Sequence, residues 1–403
     1  ATVNEGGTVT LTTSMLRVTD ADTPTDGLLI VLGATPVNGT LTLDQNALTS
    51  GDLFTQADVD AGRVTYQHND TETANDSFTF TVTDQTNWLP GATFTFTVLP
   101  IEDGDEFAIE GGTGVDFHQQ SVYYVERLRN KISRIDMDGV VVPIAGTGTP
   151  GSLGDGGSAI AAELRRPYDV YVSPSGEVYI ADTGNHRIRY IDANGTIATI
   201  AGAFLKGFGG DGGPALQANL SAPRGISGDG QGNIYIADTD NHRIRRIDAN
   251  GTITTVAGNG ISNFSGDGGP AIDAALNAPI DVYAIDDGTL YIADTGNHRI
   301  RKVMLDGTIA TIAGDGFDRF SGDGNPAANA SLSSPVGVYA AADGDVYIAD
   351  VGNGRVRRID SAGIIQTIAG NGIDTDENDG GLALDAGIGA PLGIDGDDAG
   401  QLW

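Results

Sequence analysis

Cysteine is absent from the 403 residues, so neither a disulfide framework nor a thiolate zinc site is possible, and redox chemistry says nothing about the compartment. Basic residues are scarce: 22 Lys and Arg stand against 54 Asp and Glu, a formal charge of −32. Nucleic-acid phosphates need Lys and Arg clusters, so this balance argues against such a partner and for a cationic one. No apolar run approaches the 18 or so residues of a membrane helix, and the first residues show no signal-peptide pattern. Glycine, in contrast, is plentiful at 59 residues, and it falls where the chain must turn.

What is present is a repeat. The run Tyr179-Ile180-Ala181-Asp182-Thr183-Gly184-Asn185-His186-Arg187-Ile188-Arg189 returns almost letter for letter at 235–245, 291–301 and 347–357, with its Asp at 182, 238, 294 and 350, always 56 residues apart. Ala-Gly pairs at 145–146, 201–202, 257–258, 313–314 and 369–370 keep the same beat, as do Gly-flanked carboxylates at Asp155, Asp211, Asp267, Asp323 and Asp379. A fixed period of this size marks one supersecondary unit stacked or arranged radially. Each unit reads as four short strands. In the second, the strands are 168–172, 177–181, 187–192 and 196–201; Ser173 to Gly176 and Asn194-Gly195 supply two of the turns. Four antiparallel strands and a Gly-rich connector per unit predict the blade of a β-propeller, with a solenoid as the competing arrangement. In the connector 202–222, Pro214 ahead of Ala215 and Leu216 predicts a turn or two of helix.

The Ala-Asp-Thr-Gly-Asn-His-Arg-Ile core, followed by Gly-Thr-Ile and a closing Ala-Gly, resembles the NHL repeat. The Gly-Asp-Gly-Gly-Pro-Ala connector resembles the form found in teneurins and in large bacterial extracellular proteins. The resemblance covers roughly the last 290 residues. It implies a β-propeller, usually six-bladed, and leaves function open, because propellers of this family include lyases, sensors and binding platforms.

Residues 1–102 carry no trace of the period. They alternate Thr with apolar residues, as in Ser77-Phe78-Thr79-Phe80-Thr81-Val82 and Thr93-Phe94-Thr95-Phe96-Thr97-Val98, which predicts the half-buried strands of a β-sandwich. Val3-Asn4-Glu5-Gly6, Asp20-Ala21-Asp22, Phe54-Thr55-Gln56-Ala57-Asp58-Val59, Gly62-Arg63-Val64-Thr65-Tyr66-Gln67-His68 and Asp76 to Asp84 resemble the cadherin-like repeat of chondroitin sulphate proteoglycans and bacterial adhesins. That resemblance implies a cell-surface spacer. Carboxylates at its strand ends, Glu5, Asp20, Asp22, Asp84, Asp103 and Asp105, suit calcium, which takes six to eight oxygens; the alternative is a set of solvated Asp turns. His68 reads as structural. Residues 103–113 form an acidic linker, and 114–403 the propeller.

Counting back 56 from Tyr179 lands on Tyr123-Tyr124-Val125-Glu126, a degenerate first unit in which Lys131 replaces the Arg and Arg129 the Asn. Counting forward from Pro335 and Tyr347 lands on Pro391 and Trp403, inside a sixth unit. The expected fold is therefore all-β: a sandwich, then an NHL-type propeller of four-stranded blades, five complete and a sixth truncated. The alternative is a strand from 391–403 that helps close a ring of five and a fraction blades.

In a four-stranded blade the turn between strands two and three shares a propeller face with the connector, so that face is expected to carry the unusual chemistry and the other only tight turns. His186, His242 and His298 occupy equivalent places, too far apart for one zinc ion with its ~2 Å bonds, and are expected to pack and hydrogen-bond within their own turns. Asp182, Asp238, Asp294 and Asp350 are expected to accept turn N–H groups and to pair with the following Arg. Candidate partner-binding residues are Arg187, Arg243, Arg299 and Arg355 with the connector carboxylates Asp211, Asp267 and Asp323; the competing role for each Arg is an ion pair inside its own blade.

Two functions remain open. One is a non-enzymatic extracellular or cell-surface module, a spacer with a propeller that binds protein or glycan in adhesion. The other is a lyase or hydrolase acting on a small substrate in the axial channel. The near-identity of units two to five favours the first, since an active site generally breaks the symmetry.

Overall fold

The computed structural model describes residues 2–4, 7–20, 23–69, 75–84, 87–99, 113–136, 138–203, 205–373, 381–397 and 400–403. Two compact units, 1–107 and 108–403, divide the chain.

The first unit is two sheets over one core. One orders Thr2–Asn4, Trp88–Leu99, Asn75–Thr83, Leu29–Leu32 and Leu53–Thr55; the other orders Thr8–Thr10, Val64–His68, Gly39–Leu43 and Asn46–Ala47. The Thr/apolar alternation does the sorting. Phe78, Phe80 and Val82 turn inward with Phe94 and Phe96, while the threonines between them stay near solvent; each buried Phe contributes roughly 2–3 kcal/mol. Tyr66 of the second sheet stacks on Phe96 of the first at 3.8 Å between ring centroids, joining the layers. A short helix, Gln56–Asp60, stands in a segment whose sequence gave no helical period. Thr55 caps it in a reciprocal box with Asp58, and the buried Gln56 holds the 16–18 backbone through Val18 N–H at 2.7 Å and Leu16 C=O at 3.2 Å.

The second unit repeats a four-stranded antiparallel sheet. Sheet one is Val115–His118, Ser121–Glu126, Lys131–Ile135 and Val141–Ala145; sheet two is Asp169–Val172, Val178–Asp182, Arg187–Ile191 and Ile197–Ala201. Sheets three, four and five begin at Pro223–Gly228, Asp281–Ala284 and Gly337–Ala340. The first strands of successive sheets lie side by side, so sheets two, three and four have a neighbouring sheet on both faces. Hence Ile234–Asp238 and Leu290–Asp294 are buried at every residue, the pattern of strands covered on two sides. Residues 391–396 lie between the fifth and first sheets: Ile394 packs with Tyr339 and Ala349, and the Asp395 carboxylate accepts the N–H of Phe117 at 2.6 Å.

The connectors depart from the expected layout. Rather than staying on the turn-bearing face, each runs along the outer strand of the next sheet. Gly213 and Pro214 pair with Ile253 and Thr252, Asn325 and Pro326 with Ile365 and Ile364, and bridges at Ser158–Thr196 and Pro270–Thr308 repeat the arrangement. The connector thereby meets the opposite face, where Ala215 N–H donates to Gly251 C=O at 2.9 Å in the Asn-Gly turn. The helical turn after Pro214 is a single 3-10 turn, Ala215–Gln217.

Candidate functional site

The repeated motif builds an ion-pair clamp, and its arginine is not the expected one. Asp238 is the cross-strand register partner of Arg243, yet its carboxylate meets Arg245. Arg245 stands two residues beyond Arg243 on the same strand, and therefore on the same face of the sheet as Asp238. Arg245 is fully buried; it gives Nη1 to Asp238 at 3.2 Å and Nη2 to the connector Asp211 at 2.7 Å. Asp211 also accepts Thr255 Oγ1 at 2.7 Å. Asp155–Arg189–Asp182, Asp267–Arg301–Asp294 and Asp323–Arg357–Asp350 repeat the clamp. The connector carboxylates thus staple each connector to the following blade. In the first unit Ser133 stands in the Arg place and donates to Glu126.

The inner carboxylates are further fixed by donors. Asp182 accepts Arg165 N–H at 2.8 Å and Asn185 Nδ2 at 2.7 Å, and Asp238, Asp294 and Asp350 accept Ser221, Asn277 and Ser333 N–H in the same way. Burial pushes Asp182 and Asp238 up to about 6, against those hydrogen bonds and the arginine.

Among the described residues Arg243, Arg299 and Arg355 pair with no carboxylate. Each bridges two backbone carbonyls, for Arg243 those of Asn241 and Asn259, both at 2.8 Å. Each also lies over an aromatic ring, Phe208, Phe264 and Phe320 respectively, at 3.8, 3.7 and 3.9 Å. Arg187 is buried at the same place in sheet two. The histidines reach beyond their own turns. His186, His242 and His298 sit at φ of 56, 55 and 54°, and their Nδ1 atoms accept N–H groups of Ala222, Ala278 and Ser334, where the chain enters the next blade. Accepting at Nδ1 requires the neutral ring, and burial lowers the pKa of His186 and His242. Gly354 and Asn130 hold the same left-handed position in the other two units, at 55 and 56°.

Of the calcium candidates, Glu5, Asp22, Asp103 and Asp105 lie outside the described residues, as does Asp379. Asp20 accepts Thr23 Oγ1 at 3.2 Å and Asp84 accepts the Asn87 side chain at 3.2 Å, each within its own turn. Among the described residues no three His, Asp or Glu converge as a metal site.

A different set of carboxylates lines the axis. The inner strands surround a channel of about 820 Å³, and Asp116, Asp169, Asp281 and Asp395 on its lining each link one blade to the next. Each accepts an N–H of a neighbouring inner strand: Val172 at 3.0, Ile226 at 2.8, Val338 at 2.9 and Phe117 at 2.6 Å. Gly225 makes room for Asp281, since a Cβ there would run into the Asp281 backbone. Burial raises all four pKa values, Asp281 to about 6 and Asp395 to about 7. Asp116 is raised further by Asp395, and Asp169 by Asp281. Sequence reasoning passed over this set. Its signal was available in the inner-strand register, where Asp169 and Asp281 fall at a place that Gly225, Gly337 and Gly393 occupy elsewhere.

Blade-like sheets around such a channel, following a two-sheet unit in the chain, define a β-propeller with an N-terminal sandwich. Residues 1–98 match the cadherin-like family model, 115–206, 204–262 and 313–401 the teneurin NHL domain, and 276–303 the NHL repeat. The chain belongs to the teneurin NHL domain family. It is similar to human teneurin-4, 32% identical over 51% of this chain and 8% of that protein, and to bovine NHL repeat-containing protein 2, 31% over 46% and 28%. It is also 30% identical to the Arabidopsis thaliana protein SUPPRESSOR OF QUENCHING 1, chloroplastic, over 62% of this chain and 24% of that one. The chain thus spans less than a third of these relatives. Among solved structures, a Bacteroides thetaiotaomicron protein of unknown function superposes with a TM-score of 0.52 at 15% identity, covering 100% of this chain and 92% of its own. An auxiliary nutrient binding protein of the same organism reaches 0.51 at 12%, covering 90% and 86%. Those two likenesses concern fold alone. Among the described residues no helix is long and apolar enough to cross a membrane.

Proposed function

We propose that this chain is a non-enzymatic extracellular or cell-surface module, in which the sandwich is a spacer and the propeller binds a protein partner in adhesion. One observation carries the reading. Leu205, Ile261, Phe317 and Ile373 recur 56 residues apart in successive connectors and stand 69, 62, 62 and 52% exposed, while the charged motif beside them is locked into the scaffold. A recurring exposed apolar side chain adds nothing to the core and suits a partner with matching apolar contacts; the charge of −32 selects a basic rim around them. The ring is read as six-bladed, because Gly393 follows Gly337 by 56 residues and Asp395 bonds the first blade.

The test is a screen of the full chain against protein and glycan panels, repeated with Leu205, Ile261, Phe317 and Ile373 all changed to Ser. The variant should keep its thermal midpoint and bind its ligand at least about tenfold more weakly, since a few central contacts carry most of an interface's binding energy. Binding that survives those changes and disappears in Asp281→Asn would move the site into the channel. That result would favour the second reading, a lyase or hydrolase, which the raised carboxylates of the channel support.

For the sandwich we propose calcium at its acidic ends, on the family resemblance; the described Asp20 and Asp84 would supply only part of the ligand set. Millimolar calcium should raise the midpoint of the first unit, because a ligand bound only to the folded form stabilises it. An unchanged midpoint, or an equal shift with magnesium, would end that reading.

A further inference from the structure

We propose that the end of the axial channel on the turn-bearing face binds an oxyanion, a carboxylate, sulfate or phosphate group of a small ligand, through Arg127, Arg166 and Arg224. This is independent of the exposed apolar ring.

The three arginines break the repeat, each at a place where the other blades carry an uncharged residue. Arg127 occupies the place of Thr183, Thr239 and Thr295; Arg166 that of Ala222, Ala278 and Ser334; Arg224 that of Tyr168, Ile280, Val336 and Leu392. The last position faces the axis, for Tyr168, Ile280, Val336 and Leu392 pack against one another there. The Arg127 and Arg224 guanidinium carbons stand 5.3 and 5.1 Å from the centroid of the same Tyr168 ring, and Arg166 precedes that residue by two. Its backbone N–H is tied to Asn130 Oδ1 at 2.8 Å, which fixes where its side chain begins.

The fully buried Arg245 is compensated by two carboxylates and the half-buried Arg243 by two carbonyls. Among the described residues these three guanidinium groups have neither an ion-pair partner nor a hydrogen bond to protein. The nearby channel carboxylates, Asp169 and Asp281, point their hydrogen bonds at Ile226 and Val338 instead. Burial lowers the proton affinity of Arg127, and Arg224 and Arg166 lower it further. Converging guanidinium groups over an aromatic face, with donors unoccupied, suit the planar or tetrahedral oxygens of an anion.

The repeat supplies the variants. Arg127→Thr, Arg166→Ala and Arg224→Ile install residues that other blades already carry, so the fold is retained. Titration calorimetry of the full chain with sodium sulfate, inorganic phosphate and galacturonate, at constant ionic strength made up with chloride, should show saturable binding, weakened at least tenfold in the triple variant. Arg358→Ala, remote from the cluster, should bind as the parent does. Binding of galacturonate alone assigns the anion to a saccharide, and binding of the inorganic ions assigns it to a free oxyanion. The exposed Arg166→Ala change alone serves if the triple variant unfolds, and it should weaken binding measurably. No saturable binding to any of the three, or equal binding by parent and variant, overturns the proposal.

Discussion

Arg301→Ala should lower the thermal midpoint of the propeller by roughly 6–20 °C. The change leaves Asp294 fully buried without its counter-ion and frees the connector's Asp267 from the blade. Breaking a buried pair by removing one partner costs about 3–5 kcal/mol, and each kcal/mol moves the midpoint of a domain this size by about 2–4 °C. Arg299→Ala, two residues earlier, should cost less, because it removes bonds to the carbonyls of Asn297 and Asp315 and leaves no buried carboxylate behind. A scan of the two variants by calorimetry checks the order. An Arg299 variant less stable than the Arg301 variant would mean that the clamp is assigned to the wrong arginine.

Asp116→Asn should stabilise the propeller at pH 8 and leave it nearly unchanged at pH 4. Asp116 and Asp395 have folded-state pKa values raised above 3.8, Asp395 to about 7. Between the unfolded and folded pKa the native state binds more protons than the unfolded chain, so stability falls as pH rises through that window. Below about pH 4 the penalty vanishes, and it grows as pH rises through the folded-state values, that of Asp395 about 7. Asparagine keeps an oxygen for the Val172 N–H and removes the charge opposite Asp395. A rise of several degrees at pH 8 is expected, read from melting curves at both pH values. An equal rise at pH 4, or a fall at pH 8, would show that the channel carboxylates do not repel one another.

Local structure was legible because local chemistry decides it. Strands expected at 187–192 and 196–201 are found as Arg187–Ile191 and Ile197–Ala201, since the Asn194-Gly195 turn and the β-branched runs leave little alternative. The helix at Gln56–Asp60 was readable only from the Thr55 and Asp58 capping box, five residues being too few for a helical period. The partner of Asp182 was not legible. Register alone sets it opposite Arg187, yet the carboxylate meets Arg189, two residues on along the same strand face. The connector course was hidden for a similar reason: Asp211 meets Arg245 across 34 residues, a distance no local signal spans. The channel carboxylates and the arginine cluster break a 56-residue register, so they appear only when the units are laid over one another and every departure is asked what it faces. The periodic charges hold the scaffold, and the departures mark where chemistry other than folding is to be sought.

A double-mutant cycle between Arg301 and Asp294 tests that claim most directly, through the stabilities of Arg301→Ala, Asp294→Ala and the pair together. The structure predicts a favourable coupling of at least about 1.5 kcal/mol, as for close, desolvated charge pairs, with partner binding in the surviving folded fraction unchanged. A coupling near zero, or partner binding lost while stability holds, would contradict it and return the motif to the ligand.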